Sequence, residues 1–215
     1  NVTAIDLRGE NVSDSDVEHL VAVLTAKEND YVETVDLSDN LNISDAGARH
    51  LVKLLKQRTE GKIAVRSIDL RRTWISDEGA TALLEEGKRQ RGTFKERYVV
   101  VDLREACIRD VAIRTRTARW FWKQTLQALG DTERRTERAG DCNAWLTTVD
   151  LRGLPFLHDR HADKLVRALA ANTHVATVLP AHGFTPAARQ RIKNARAVDE
   201  ADQAPDGLWP REARR

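Results

Sequence analysis

Residues 32–58, VETVDLSDNLNISDAGARHLVKLLKQR, decide the fold. In the first half Val35 and Leu37 alternate with the polar Thr34, Asp36 and Ser38, the two-residue period of a half-buried strand. In the second half Gly47, Leu51, Leu54 and Leu55 recur at i, i+4, i+7 and i+8, one face of a helix. Ser44 is placed as the N-cap, since its short side chain accepts an orphan amide of the first turn. Asp45 follows it, where the partial positive charge of a helix N-terminus favours an anion. Such a strand–helix unit cannot bury its apolar face alone.

The unit recurs along the chain. Its strand returns as Val2-Ile5-Leu7, Val32-Val35-Leu37, Val65-Ile68-Leu70, Tyr98-Val101-Leu103, Leu146-Val149-Leu151 and Val175-Val178-Pro180. An Asp-Leu pair fills the same slot at Asp6-Leu7, Asp36-Leu37, Asp69-Leu70, Asp102-Leu103 and Asp150-Leu151. The helix start returns as Val12-Ser13-Asp14, Ile43-Ser44-Asp45, Ile75-Ser76-Asp77, Ile108-Arg109-Asp110 and Leu157-His158-Asp159. A period of about 30–33 residues that keeps strand, cap and helix in phase is the mark of a stacked repeat array.

On these residues the chain resembles the leucine-rich repeat family, and within it the long, helix-bearing ribonuclease-inhibitor-like class. The resemblance covers residues 2–197 and implies an α/β fold. That fold is a right-handed solenoid with a parallel sheet on the concave face and helices on the convex face. The expected organisation is a repeat domain over 1–197, of about five and a half repeats, followed by a tail over 198–215. Leu7, Leu37, Leu70, Leu103 and Leu151 are expected in one apolar column.

Within that frame each repeat has its own reading. Asp16 occupies the slot that Gly47 holds, so close backbone approach is not compulsory there. The third helix is expected to stop near Gly87, ahead of the charged KRQRGTFKER, which reads as a solvated loop. The fourth repeat is longer than its neighbours, with an insertion over 109–145. RDVAIRTRTARWFWKQTLQALG reads as a helix ending at Gly130, with Ala118, Trp122, Thr125, Leu126 and Leu129 inward and Trp120 outward beside Arg116, Gln124 and Gln127. His161 fills the glycine slot of the fifth repeat. Pro180 stands where a strand leucine is due, which suits an edge strand, and Thr185-Pro186 starts a last helix with Ile192 inward. Of the family's buried asparagine ladder only Asn40 and Thr73 remain able to bond the turn backbone.

Composition narrows the partners. Charged residues make up 32% of the chain and the net charge is only +2, a mixed surface that does not call for nucleic acid. No apolar run approaches the ~18 residues of a membrane span, and no signal-peptide core is present. Two cysteines, Cys107 and Cys142, are too few for a disulfide framework and favour a reducing, cytoplasmic setting. The chain has no methionine and opens directly on a repeat strand, from which more chain upstream is expected, and self-association through that first strand is a further expectation.

Two places carry candidate chemistry. Alternation turns the polar strand positions to the concave side, giving a row of Asp6, Asp36, Asp69, Asp102 and Asp150 beside a row with Arg8, Arg71, Arg104 and Arg152. The structural reading is a self-neutralising ladder; the functional one is a docking face whose arginines meet a partner's acidic groups. The second place is Trp120-Phe121-Trp122 among Arg109, Arg114, Arg116 and Arg119, where Trp120 and Arg116 are the partner-facing candidates against a plain packing role. His158 and His161 share a helix face, but no cysteine or carboxylate completes a metal set. No nucleophile–base pair or phosphate loop emerges, so no catalytic residue, metal or cofactor is expected.

The expected function is a non-catalytic scaffold that binds a protein partner through the concave strands and the fourth-repeat insertion, within a larger intracellular or cytoskeletal protein. Two rivals rest on resemblance alone. Ran GTPase-activating proteins use a similar solenoid, and tropomodulin-like actin-capping proteins end in a short one whose helix exit resembles Asn172-Thr173-His174-Val175.

Overall fold

The computed structural model describes residues 2–26, 31–58, 65–89, 99–130, 146–172 and 175–195. They form two compact units, one within Asn1–Asp131 and one within Thr132–Arg215. The tail over 198–215 and the part of the insertion after Gly130 lie outside the described residues.

In the first unit strand and helix alternate strictly: β1 Ala4–Asp6, α1 Asp14–Thr25, β2 Thr34–Asp36, α2 Asp45–Arg58, β3 Ser67–Asp69, α3 Asp77–Arg89, β4 Val100–Asp102 and α4 Val111–Gly130. The strands make one parallel sheet in the order β1-β2-β3-β4. Its register sets Asp6 beside Asp36, Asp36 beside Asp69 and Asp69 beside Asp102. One residue on, the amides of Leu7, Leu37 and Leu70 donate to the carbonyls of Asp36, Asp69 and Asp102. Leu7, Leu37, Leu70 and Leu103 therefore stand in one column, as expected; Leu37 and Leu70 are completely buried, and Leu7 at the open edge is half-buried. Behind them lie Ile43, Leu51, Leu54, Leu55, Ile75, Leu83 and Leu84 from the turns and helices, so the apolar flank of each repeat is covered by the next.

The second unit repeats the plan with β5 Thr148–Asp150, α5 Asp159–Ala171, β6 Thr177–Leu179 and α6 Pro186–Ala195. β5 and β6 pair in parallel, and Leu151 donates to Leu179. Leu151, Leu157, Leu165, Leu169, Val178 and Ile192 are buried, as their spacing requires. Pro180 follows β6, which has β5 as its one partner among the described residues.

One backbone device recurs in the turns that follow β1 to β5. Two residues after each strand leucine the chain takes a left-handed conformation, at Gly9 (φ 68°), Asp39 (61°), Arg72 (53°) and Glu105 (61°) in the first unit and Gly153 (71°) in the second. After Asp39, Arg72 and Gly153 the next side chain, Asn40, Thr73 or Leu154, is buried. Asn40, completely buried, takes the Val12 amide on Oδ1 (2.9 Å) and gives Nδ2 to the carbonyls of Leu7 (2.9 Å), Leu37 (3.0 Å) and Ser38 (3.2 Å). Thr73 gives its hydroxyl to the Leu70 carbonyl (2.8 Å). These are the two ladder residues the sequence singles out.

α3 ends at Arg89, close to the stop expected near Gly87. The assignment of faces on α4 is corrected. Trp120 does not face outward: it is only 5% exposed and joins the core of the first unit. The cause lies in α3. A Cβ on Gly87 would stand 2.9 Å from Cε2 of Trp120 and closer still to Cζ2, so the glycine is a notch in α3 that the indole fills. Gln124, assigned outward with Trp120, is also buried, and Ala118 and Leu126, assigned inward, are only half-buried. Trp122, Thr125 and Leu129 are buried as expected.

Candidate functional site

The polar strand face is built from one short motif. In each repeat the aspartate ends its strand and turns Oδ1 back onto the amide two residues on. The bonds are Arg8 to Asp6 (3.1 Å), Ser38 to Asp36 (2.8 Å), Arg71 to Asp69 (3.0 Å), Arg104 to Asp102 (3.0 Å) and Arg152 to Asp150 (3.0 Å). The aspartate row is thus first a set of turn-closing acceptors, the local side-chain competition for backbone that suits Asp at a strand end.

The arginines split into two groups. Arg71 lays Nε on both oxygens of Asp69 (3.0 and 2.9 Å) and reaches Asp102 at 3.6 Å. Arg104 grips Asp102 with Nε (2.9 and 3.1 Å) and stacks on Phe121, its guanidinium carbon 4.6 Å from the ring centre. In the second unit Arg152 folds onto Asp150 in the same way (3.1 Å). Arg8 does the opposite: it leaves Asp6 and donates Nε to Asp39 at the turn (2.8 Å).

Access and charge therefore change across the first sheet. At β4 the face is shut, with Val100, Asp102 and Arg104 buried. Asp69, desolvated and beside the Asp102 charge, has its carboxyl held above the usual carboxylate range despite Arg71. Toward β1 the face opens onto exposed Ala4 and Asp6 and half-buried Thr34 and Asp36. Ser38 stands where the other repeats have arginine and gives Asp36 only a hydroxyl (2.6 Å). Among the described residues no side-chain cation pairs with Asp6 or Asp36. The open half of this face is acidic, and of the arginines named as docking groups Arg71, Arg104 and Arg152 are engaged with their own aspartates.

A second charged row runs along the left-handed turn positions Asp39, Arg72 and Glu105 and is extended by Arg8, the neighbour of Gly9. Arg8, Asp39, Arg72 and Glu105 alternate in sign: Arg72 clasps Asp39 through Nε and Nη2 (the latter at 2.7 Å) and reaches Glu105 at 3.4 Å. The two arginines hold the Asp39 carboxyl down at about 2, with Arg72 the main cause, and Asp39 in turn raises Arg72. On the same rim Leu41 and Trp74 are exposed, Trp74 at 52%.

The helix starts carry a third pattern that sequence reasoning missed. Asp14 of α1 accepts from the amides of Ser44 (2.8 Å) and Gly47 (2.8 Å) and from the Ser44 hydroxyl (2.6 Å), so it caps the helix of the following repeat. Asp45 does the same for Ser76 and Gly79, Asp77 for Arg109 and Asp110, and Asp159 for Thr185. The legible signal was the aspartate one repeat ahead of each Ser-x-x-Gly. In α1 and α5, Asp16 and His161 accept from the N-cap amide of their own helix, Ser13 and His158.

In the insertion, Trp120 is buried as described, and Arg116 is exposed and paired with Glu85 (3.1 Å). The histidine pair meets at ring centroids 6.5 Å apart, and no group of three His, Cys, Asp or Glu among the described residues is placed to hold a metal ion. No helix among them is long and apolar enough to cross a membrane.

Residues 65–84, which are β3, its turn and the first half of α3, match a family profile described as Leucine Rich repeat. The same strand–helix unit recurs before and after that stretch, which supports a leucine-rich repeat solenoid, a fold that generally serves in interaction. No curated protein matches the sequence.

Proposed function

We propose that this chain is a non-catalytic interaction module that docks a basic protein segment on the open half of the first unit's strand face. The observation that carries the reading is the unbalanced pair Asp6 and Asp36, side by side in the sheet, with Arg8 diverted to Asp39 and Ser38 in the arginine slot. Carboxylates on neighbouring strands, about 4.8 Å apart, repel one another and gain from a shared lysine or arginine. Asp69, Arg71, Asp102 and Arg104 neutralise one another and form the supporting wall of that face rather than its contact groups; Asp150 and Arg152 do the same in the second unit. Arg116 lies outside this face and contributes to a contact only by releasing Glu85. The reading takes the protein to be cytoplasmic, on the strength of its sparing cysteine use.

The test is fluorescence-polarisation binding of short lysine- and arginine-bearing peptides to the purified chain, with acidic peptides of equal length alongside. Basic peptides bind selectively, more weakly at higher salt, and Asp6→Asn with Asp36→Asn lowers affinity at least tenfold. Equal binding of both peptide sets, or an unchanged affinity in the double variant, removes the strand face from the account.

A further inference from the structure

The second unit holds a cap built on an acceptor that acid removes. At the head of α5 the backbone N–H of His158 donates to Nδ1 of His161, 3.1 Å away. At the head of α1 the same bond runs from Ser13 to a carboxylate oxygen of Asp16, at 2.8 Å. Both acceptors stand at the third helical position, where α2 and α3 have glycine and are capped from the repeat before. One geometry is thus served by an anion in one helix and by a neutral ring in the other.

The two acceptors differ in the acidity they tolerate. A carboxylate goes on accepting to about pH 4, whereas an imidazole nitrogen accepts only while it is bare. Protonation of Nδ1 would set a donor against a donor and place a cation at the positive end of a helix. Among the described residues the charged groups acting on the ring add to that cost: Arg160 and Lys164 on α5 and His158 at its cap, all of one sign when charged. The turn before α5 contributes the uncharged Phe156, whose ring meets His161 edge-on at 6.2 Å. On the α6 side, Arg191 is paired with Asp163, and Asp159 is taken up by Thr185. Burial and these cations hold His161 below the ordinary histidine range.

We propose that His161 is an acid-sensitive latch on the second unit: its protonation frees the His158 amide and opens the first turn of α5. Opening does not end there, because Asp159 is the first residue of that turn and caps α6 through the Thr185 amide (2.9 Å) and hydroxyl (2.6 Å). Both helix starts of the unit therefore depend on one bare nitrogen. Since the unfolded chain takes up the proton first, the latch is fully closed above about pH 6.5 and weakens as the pH falls below it.

The full chain, labelled for NMR, tests this directly. The ring nitrogen shifts of His161 are to show a bare Nδ1 with the proton on Nε2 at pH 7.5. Between pH 7.5 and 4.5 the His158 and Thr185 amides lose at least tenfold in hydrogen-exchange protection, after correction for intrinsic rates, while Ser13 and Ser44 hold theirs. His161→Asp, which installs the acceptor found in α1, suppresses the loss at His158. A proton on Nδ1 in the neutral ring, an unchanged His158 protection in the natural chain, or the same loss in His161→Asp each overturns the proposal. The first two readouts stand whether or not the variant folds.

Discussion

Oδ1 of Asp14 lies 2.8 Å from the amide nitrogen of Gly47, a residue of the following repeat, and that nitrogen has room for it only because Gly47 lacks a side chain. A Cβ there would meet Asp14 Oδ1 at 2.6 Å and the Ile43 methyl at 3.0 Å. Within the first unit the stack is therefore held by an anion passed from α1 to α2, α2 to α3 and α3 to α4, in addition to the apolar flank, and α5 passes one to α6 in the second. In an ordinary exposed helix Gly→Ala stabilises by roughly 1 kcal/mol. Here it displaces the carboxylate, and we expect a net loss.

The first prediction is a double-mutant cycle on that pair. Asp14→Ala strips acceptors from the Ser44 and Gly47 amides and the Ser44 hydroxyl, at a cost of about 2–3 kcal/mol for a charge-assisted, part-buried cap. Gly47→Ala alone costs about 2 kcal/mol. Together they cost clearly less than the sum, since the clash disappears with the carboxylate, leaving a coupling of about 1 kcal/mol or more. Urea unfolding of the four proteins measures it; strict additivity would show that glycine and aspartate are not partners.

Asn40 is the second target. It is completely buried and makes four hydrogen bonds, two of which, to Val12 and Leu7, tie the first turn to the second while those to Leu37 and Ser38 close its own turn. Asn40→Ala leaves the Val12 amide and three carbonyls short of a partner, and about 3–4 kcal/mol is the expected loss. Thr73→Val, which removes a single bond to the Leu70 carbonyl, costs about 1 kcal/mol. Comparable losses for the two would contradict the bonding described.

The third prediction concerns acid and the turn row. Because Asp39 titrates lower in the folded chain than its ordinary 3.8, the stabilisation it carries is complete above about pH 4. It is lost as the pH falls from there toward the folded value of about 2. Arg72→Ala returns the Asp39 carboxyl toward its ordinary value, which carboxyl carbon shifts will report. In stability Arg72→Ala costs about 1 kcal/mol, a partly exposed ion pair being screened. Arg72→Gly is closer to neutral, because relief of a left-handed arginine (φ 53°) offsets the lost pair.

The repeat was readable in the sequence because its period-two strand, its Asp-Leu pair and its Ser-Asp helix start are all local patterns of backbone and side chain. What escaped reading is non-local. The left-handed turn position is marked by glycine only at Gly9 and Gly153; at Asp39, Arg72 and Glu105 the strain is tolerated beside ion pairs that form only once repeats stack. The direction of the strand arginines was equally hidden. An Asp-x-Arg triplet permits either a partner's carboxylate or its own, and the turn geometry that bends Arg104 back onto Asp102 and under Phe121 is a property of the folded stack. Asp45 was read as helping its own helix because dipole arguments are local, whereas its carboxylate is spent on Ser76.

The last prediction separates Trp120, which the sequence offers for contact, from Trp74, which the fold leaves exposed. Trp120 fills the Gly87 notch, and its Nε1 has no hydrogen-bond partner among the described residues. Trp120→Ala therefore costs about 3–5 kcal/mol as a core truncation. Trp120→Phe costs less than its volume change alone implies, since it also removes a buried unpaired N–H. Trp74, half exposed on the rim, makes the opposite pair: Trp74→Ala changes stability by less than about 1 kcal/mol. Thermal unfolding ranks these variants, and acrylamide quenching of chains in which Trp74 or Trp120 is the single indole left of the five reports which is reachable. If Trp120→Ala unfolds no earlier than Trp74→Ala, the notch is not where the indole resides and its burial is not what orders α4 against α3.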